Sequence, residues 1–174
     1  MKDNFQITDK ETGKIYWISR AHAVACIIMA SHNDKHYFLF ERRGPGCPDN
    51  IGKLCCVCGY VNWGETRKEA VMREAYEETG IKLDPKWVFE DGIVDDPSKD
   101  ARENIVTRYT AVVNYEDMLN ATNDSLSRGG EDAEVSEFVI LTFEDIEKLD
   151  SDEFAFGHKE MIMEIIGQVE QNNE

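Results

Sequence analysis

The sequence predicts one α/β or α+β domain, and three observations lead there. Strand-like apolar runs interleave with helix-like spacings along the chain. One segment carries both a helix start and a helix stop signal. The 174 residues, 41% hydrophobic and 31% charged, suit a single globular core. No stretch approaches the ~20 apolar residues needed to cross a bilayer.

Phe5 to Ile18 reads as a hairpin, with Lys10-Glu11-Thr12-Gly13 as its turn before Ile15-Tyr16-Trp17-Ile18. Residues 1–20 are expected to form an N-terminal hairpin extension and 21–174 the main domain. Tyr16 and Trp17, on opposite faces, offer a surface on which two copies could pair as a homodimer. Ala21 to Ala30, apolar except at His22, predicts a buried strand. Ser31-His32-Asn33-Asp34 turns the chain into a second strand at Tyr37-Phe38-Leu39-Phe40. A Gly- and Pro-rich loop, Gly44 to Gly52, leads to a short strand from Lys53 to Val61.

Thr66 to Thr79 is the clearest helix, because Thr66 and Glu69 spell a capping box and Gly80 sits at the stop. Trp87 to Val94 and Ile105 to Tyr115 read as strands flanking the polar stretch Asp95 to Glu103. Asn120 to Asp132 is a polar loop, and Ser136 to Phe143 a last strand. Met161, Ile162, Ile165, Ile166 and Val169 then follow helical spacing.

Thirty-five acidic against 19 basic residues give a formal charge of -16, which repels nucleic acid and anionic lipid. No nucleic-acid or membrane partner is therefore expected. An anionic substrate would need divalent cations between it and the protein. The N-terminal residues mix charges and lack a signal-peptide core, so the chain reads as cytoplasmic. Its five cysteines, Cys26, Cys47, Cys55, Cys56 and Cys58, are odd in number and make a poor disulfide framework. Cys55 and Cys58 spell C-x-x-C, which raises zinc, but no second pair follows and an unbroken strand would turn them to opposite faces. Small buried thiols fit better.

Glu74, Glu77 and Glu78 stand at i, i+3 and i+4, on one face of the capped helix. Three adjacent carboxylates repel one another unless a cation neutralises them, and no protein cation is evident for that role. Oxygen ligands at this density suit Mg²⁺ or Mn²⁺. In isolation the pattern would read equally as a solvated acidic face.

The surrounding register decides the matter: Gly59, five residues, Glu65, seven residues, Arg73-Glu74-Ala75, one residue, Glu77-Glu78, one residue, Gly80-Ile81. This resembles the Nudix box with every fixed position filled. The resemblance implies an α/β/α sandwich with a mixed sheet, and a Mg²⁺-dependent hydrolase, Mn²⁺ substituting, that cuts phosphoanhydrides. Carried over, Glu74, Glu77 and Glu78 become metal ligands, with one of them or a distant loop glutamate as base. Gly59 would offer its carbonyl to metal, while Glu65 and Arg73 would form a supporting ion pair. Val57-Cys58 replaces the family's usual Pro-Gly before the box glycine, and Ala75 is a small first apolar residue; both departures bear on loop shape and substrate.

Outside the box, Phe38 to Pro45 is similar to the family's preceding strand and loop, where arginine often meets phosphate. Arg42 is the candidate, its other reading being a solvated charge. Asp95 to Arg102 resembles a D-P-x-x-D-P-R segment, Phe154 to His158 an A-F-D-H segment, and Glu131-Asp132-Ala133 a D-D-A loop, all of one Nudix subgroup. These imply a small nucleoside diphosphate derivative as partner, ADP-ribose or another nucleotide sugar first and a nucleoside triphosphate second. A ligand sensor would have lost box glutamates, and an isoprenyl diphosphate isomerase would need a further cysteine and glutamate not located here. Among Glu131, Asp132 and Glu134, the last is the expected fourth carboxylate and base, because the strand edge anchors it.

Overall fold

The computed structural model describes residues 5–99, 102–122 and 131–171. Within the expected polar stretches, Asp100, Ala101 and residues 123–130 lie outside the described residues. Strands β1 (Phe5–Thr8) and β2 (Ile15–Ile18) pair antiparallel as a separate two-stranded sheet. The Asp9 carboxylate closes their turn by accepting from the Glu11 and Thr12 amides at 2.8 and 3.0 Å.

The main sheet is mixed. Strand β3 (His22–His32) runs through its centre, antiparallel to β4 (Lys35–Arg43) and parallel to β8 (Ile105–Val112). Beyond β8 lies β7 (Val88–Val94), and beyond β4 lies β9 (Val135–Thr142), both antiparallel. Alternate residues of β3 enter different cores: Val24, Cys26, Ile28 and Ala30 face one side, Ala25 and Ile27 the other. That is why its sequence is apolar throughout.

The β3–β4 hairpin pairs only from Ile28 outward, and below that point its two strands part. The gap is filled by β5 (Leu54–Cys55), which pairs with β4, and β6 (Val57–Tyr60), which pairs with β3. The single strand expected from Lys53 to Val61 is thus two strands broken at Cys56. The break also corrects the reading of Cys55 and Cys58. Their sulfurs lie 3.5 Å apart, because the alternation that would separate them is interrupted.

Helix α1 (Arg67–Thr79) begins at Thr66, whose hydroxyl accepts from the Glu69 amide while Glu69 reaches back. It ends at Gly80, which takes a left-handed conformation with φ 70°. Ala70, Val71 and Ala75 pack it on the first core. Two short helices went unrecognised in sequence, α2 (Tyr115–Leu119) and α3 (Phe143–Lys148). Expected strands overran into both. The actual strands stop short because Asn114 and Thr142 take helix N-cap positions, Thr142 forming a capping box with Asp145.

Met118 of α2 joins α1 in the first core, whereas Ile146 of α3 and Met161 and Ile162 of α4 (His158–Gln171) fill the second. Helices therefore cover both faces of a mixed sheet, as an α/β/α sandwich requires. No helix among the described residues is long and apolar enough to cross a membrane.

One close approach ties the loop after β4 to the segment entering β9. The Gly44 amide donates to the Glu134 carbonyl at 2.7 Å and the Gly46 amide to the Ala133 carbonyl at 2.8 Å. A Cβ on Gly44 would stand 2.1 Å from the Ala133 oxygen, closer than any real contact. Gly44→Ala is accordingly expected to lower stability by about 1–3 kcal/mol, read as a fall in melting temperature; an unchanged melting curve would deny the approach.

Candidate active site

The opened hairpin sets the floor of the site. Glu41, paired in register with Cys55, and Gly59, paired with Val24, flank the inserted strands, and α1 lies across them. Glu74 packs so tightly on Gly59 that a Cβ there would meet its carboxylate at 2.1 Å. Glu41, Gly59, Glu74, Glu77, Glu78 and Glu134 all line one pocket of about 1140 Å³. That volume is ample for a nucleotide-sized ligand.

Arg73 provides the cation not foreseen in the sequence. Its guanidinium grips Glu65 with both ends, Nη2 to Oε1 at 2.7 Å and Nε to Oε2 at 3.1 Å. Nη2 also donates to the Tyr60 carbonyl at 3.0 Å, and Nη1 reaches Glu74 at 2.8 Å and Glu77 at 2.9 Å. The loop from Tyr60 to Glu65 is thereby fastened to the helix. A planar fork matches this set of acceptors in a way a lysine ammonium cannot.

The three helix glutamates are not equivalent. Glu77 is exposed, whereas Glu74 keeps only 13% of its side-chain accessibility. Burial raises the Glu74 carboxyl above its ordinary range, and Arg73 counteracts this. Glu78 accepts a hydrogen bond from the Cys58 amide at 3.1 Å. Its carboxyl is driven well up, first by burial and then by Glu41 beside it. Glu41 is 6% exposed, hydrogen-bonded to Glu78 and likewise raised by burial. Buried side by side, the two carboxyls oppose each other's ionisation.

Among the described residues, no three carboxylate, imidazole or thiol groups converge closely enough to form a ready-made coordination shell. Arg73 instead holds Glu74 and Glu77. The donors nevertheless suit a hard divalent cation: carboxylate oxygens crowd one pocket, and the cradle beside Glu74 admits no side chain. Thiols contribute little, because the Cys55 hydrogen bond and burial keep the Cys58 thiol protonated.

Other expected residues divide. Glu134 lines the pocket, while Glu131 and Asp132 do not. Arg42 is not brought to the glutamates: it pairs across the strands with Glu137 and donates to the Gly52 carbonyl at 2.8 Å. Its neighbour Arg43 lines the pocket instead. Arg43 and Arg102 lie over the Phe156 ring at 5.0 and 5.7 Å, and both bind Asp49. His158 is buried, its Nδ1 accepting from the Cys56 amide at 2.9 Å. Sequence reasoning missed Glu41, Arg43 and Phe156. A signal for Glu41 existed, a charge extending the apolar run Phe38-Leu39-Phe40 on a face that Leu39 marks as inward.

The family model for the NUDIX domain matches residues 19–165. The chain therefore belongs to the Nudix family of hydrolases. Over 84 residues it is 27% identical to the NAD-capped RNA hydrolase of Schizosaccharomyces pombe, an alignment taking in 48% of this chain and 21% of that protein. It thus spans about a fifth of that relative's length. Among solved structures, the NUDIX domain of Shewanella oneidensis NrtR complexed with ADP ribose superposes with a TM-score of 0.69, at 18% identity over 87% of this chain and 90% of that one. A MutT/nudix family protein from Enterococcus faecalis gives 0.70 at 19% identity, covering 90% and 64%. The Francisella tularensis bifunctional NMN adenylyltransferase/ADP ribose pyrophosphatase, complexed with AMP and a Mn ion, gives 0.67 at 17%, covering 86% and 42%. These likenesses show the fold.

Two outcomes follow from the contacts. Replacing Arg73 with Met strips Glu65, Glu74 and the Tyr60 carbonyl of their donor, so stability should fall by on the order of 2 kcal/mol in chemical denaturation. His158 gives a pH signature: burial presses its imidazole down to about 4, so unfolding takes up a proton once pH drops below the ordinary value near 6.5. Its contribution is thus intact above pH 6.5 and declines toward pH 4. By pH 5 the loss should reach roughly 2 kcal/mol, and His158→Asn, which keeps the acceptor, should show a correspondingly shallower acid limb.

Proposed function

We propose that this chain hydrolyses the phosphoanhydride of a nucleoside diphosphate derivative, with ADP-ribose or another nucleotide sugar as the preferred class. One observation carries the reading. A single pocket is lined both by the glutamates of the box helix, with Glu41 and Glu134, and by Arg43, Lys99, Arg102 and Arg108. A diphosphate linking two uncharged halves needs both kinds of group, cation-binding carboxylates at the scissile bond and arginines for the remaining anionic oxygens.

Glu74, Glu77, Glu78 and the Gly59 carbonyl are the groups that would hold Mg²⁺, or Mn²⁺ in its place. Bound there, the cation supplies charge neutralisation on the phosphoryl oxygens and raises the acidity of water. Glu134 would act as base, held at the pocket by its hydrogen-bonded backbone. Glu65 and Arg73 keep the box loop on the helix, and Phe156 gathers the Arg43 and Arg102 guanidiniums at one wall of the pocket, where they would meet anionic oxygens. Arg42, paired to Glu137, takes no direct part. Two structurally similar proteins are complexed with ADP ribose and with AMP, which supports a nucleotide ligand here. The S. pombe relative's name and a NrtR complex with DNA remove any ground for excluding nucleic acid, so a capped RNA belongs in the test.

The deciding experiment is a screen of ADP-ribose, nucleotide sugars, NAD, nucleoside triphosphates and NAD-capped RNA, scored by phosphate-containing products. Turnover should disappear with EDTA and return with Mg²⁺ or Mn²⁺. Glu77→Gln and Glu134→Gln should each lower kcat at least about 100-fold while the melting temperature holds. Hydrolysis that persists under complete chelation would falsify the mechanism.

A further inference from the structure

Glu41 stands outside the box, on the strand β4, and is the least exposed of the pocket's carboxylates that the chain offers from a sheet. Its Oε1 is the one buried side-chain nitrogen or oxygen among the described residues with no hydrogen-bond partner. An orphaned carboxylate oxygen in a protein interior is costly, and few native groups are left in that state without a role. The scaffold does not require an acid there. Leu39 on the same face of β4 packs into the first core, and an apolar residue at 41 would continue it.

We propose that Glu41 is an additional ligand of the divalent cation at the box glutamates, reaching it from the sheet side. The proposal rests on the metal reading given above. A helix face presents its carboxylates from one direction, and a near-octahedral cation needs oxygens from more than one. Glu41 is hydrogen-bonded to Glu78 and lies in the same pocket as Glu74 and Glu134, so it supplies the opposing direction. The cation would give Oε1 its missing partner and separate two carboxyls that otherwise repel.

Mn²⁺ binding to the metal-free protein, followed by the electron paramagnetic resonance of free Mn²⁺ at pH 8 without substrate, tests this independently of turnover. Glu41→Gln and Glu41→Leu are compared with wild type and with Glu77→Gln. A ligand role predicts at least a tenfold weaker Mn²⁺ affinity in both Glu41 variants, with metal-free melting temperatures equal to or above wild type. A hydrogen-bonding role would survive in the Gln variant and a packing role in the Leu variant, so wild-type affinity in either one overturns the proposal. If only Glu77→Gln loses affinity, the metal reading stands and Glu41 is scaffold. If Glu77→Gln also binds like wild type, both ideas fall together.

Discussion

Glu41, Glu74, Glu77, Glu78 and Glu134 are among the seven glutamates that line one pocket in a chain whose formal charge is already -16, and repulsion among them is the constraint to which the surrounding structure answers. In the reduced dielectric of a pocket, like charges oppose each other more strongly than in water. Three devices hold the group together. Arg73 spreads one guanidinium over Glu65, Glu74 and Glu77. The Cys58 amide donates to Glu78. Burial pushes the Glu41 and Glu78 carboxyls up, which weakens their tendency to ionise together.

The sheet topology makes the crowding possible. A fully paired β3–β4 hairpin would leave no space for a glutamate from a strand to meet glutamates from a helix. Parting below Ile28 and admitting β5 and β6 brings Glu41, Cys58 and Gly59 to the foot of α1. The same insertion lays the Cys56 amide against His158 at the start of α4, so the second core and the pocket share a wall.

Much of this was legible in the sequence, for physical reasons that differ by element. Helix α1 announces itself through side chains that must sit at fixed offsets, Thr66, Glu69 and Gly80, so its limits match closely. Strand β3 is readable because burial on both faces demands an unbroken apolar run. The carboxylate triad is readable because a helix fixes i, i+3 and i+4 on one side. Short helices α2 and α3 were hidden, since Asn114 and Thr142 end strands that continue apolar in sequence. Arg42 and Arg43 could not be told apart without knowing which face of β4 meets α1; strand alternation places Arg43 on the face of Leu39 and Glu41, and Arg42 on the other. Glu41 escaped for another reason: an isolated acid on a strand gives no local hint of a partner 37 residues away on a helix.

The contact of Gly44 and Gly46 with Ala133 and Glu134 joins two segments that lie far apart in the sequence. The two glycine amides hold the Ala133 and Glu134 carbonyls, so the backbone entering β9 takes its position from the loop after β4. The placement of position 134 is thereby inherited from a loop some ninety residues earlier, whatever side chain it carries. A lineage in which those glycines were lost would have to find another way for this strand to enter the sheet, because any side chain there would push the two backbones apart.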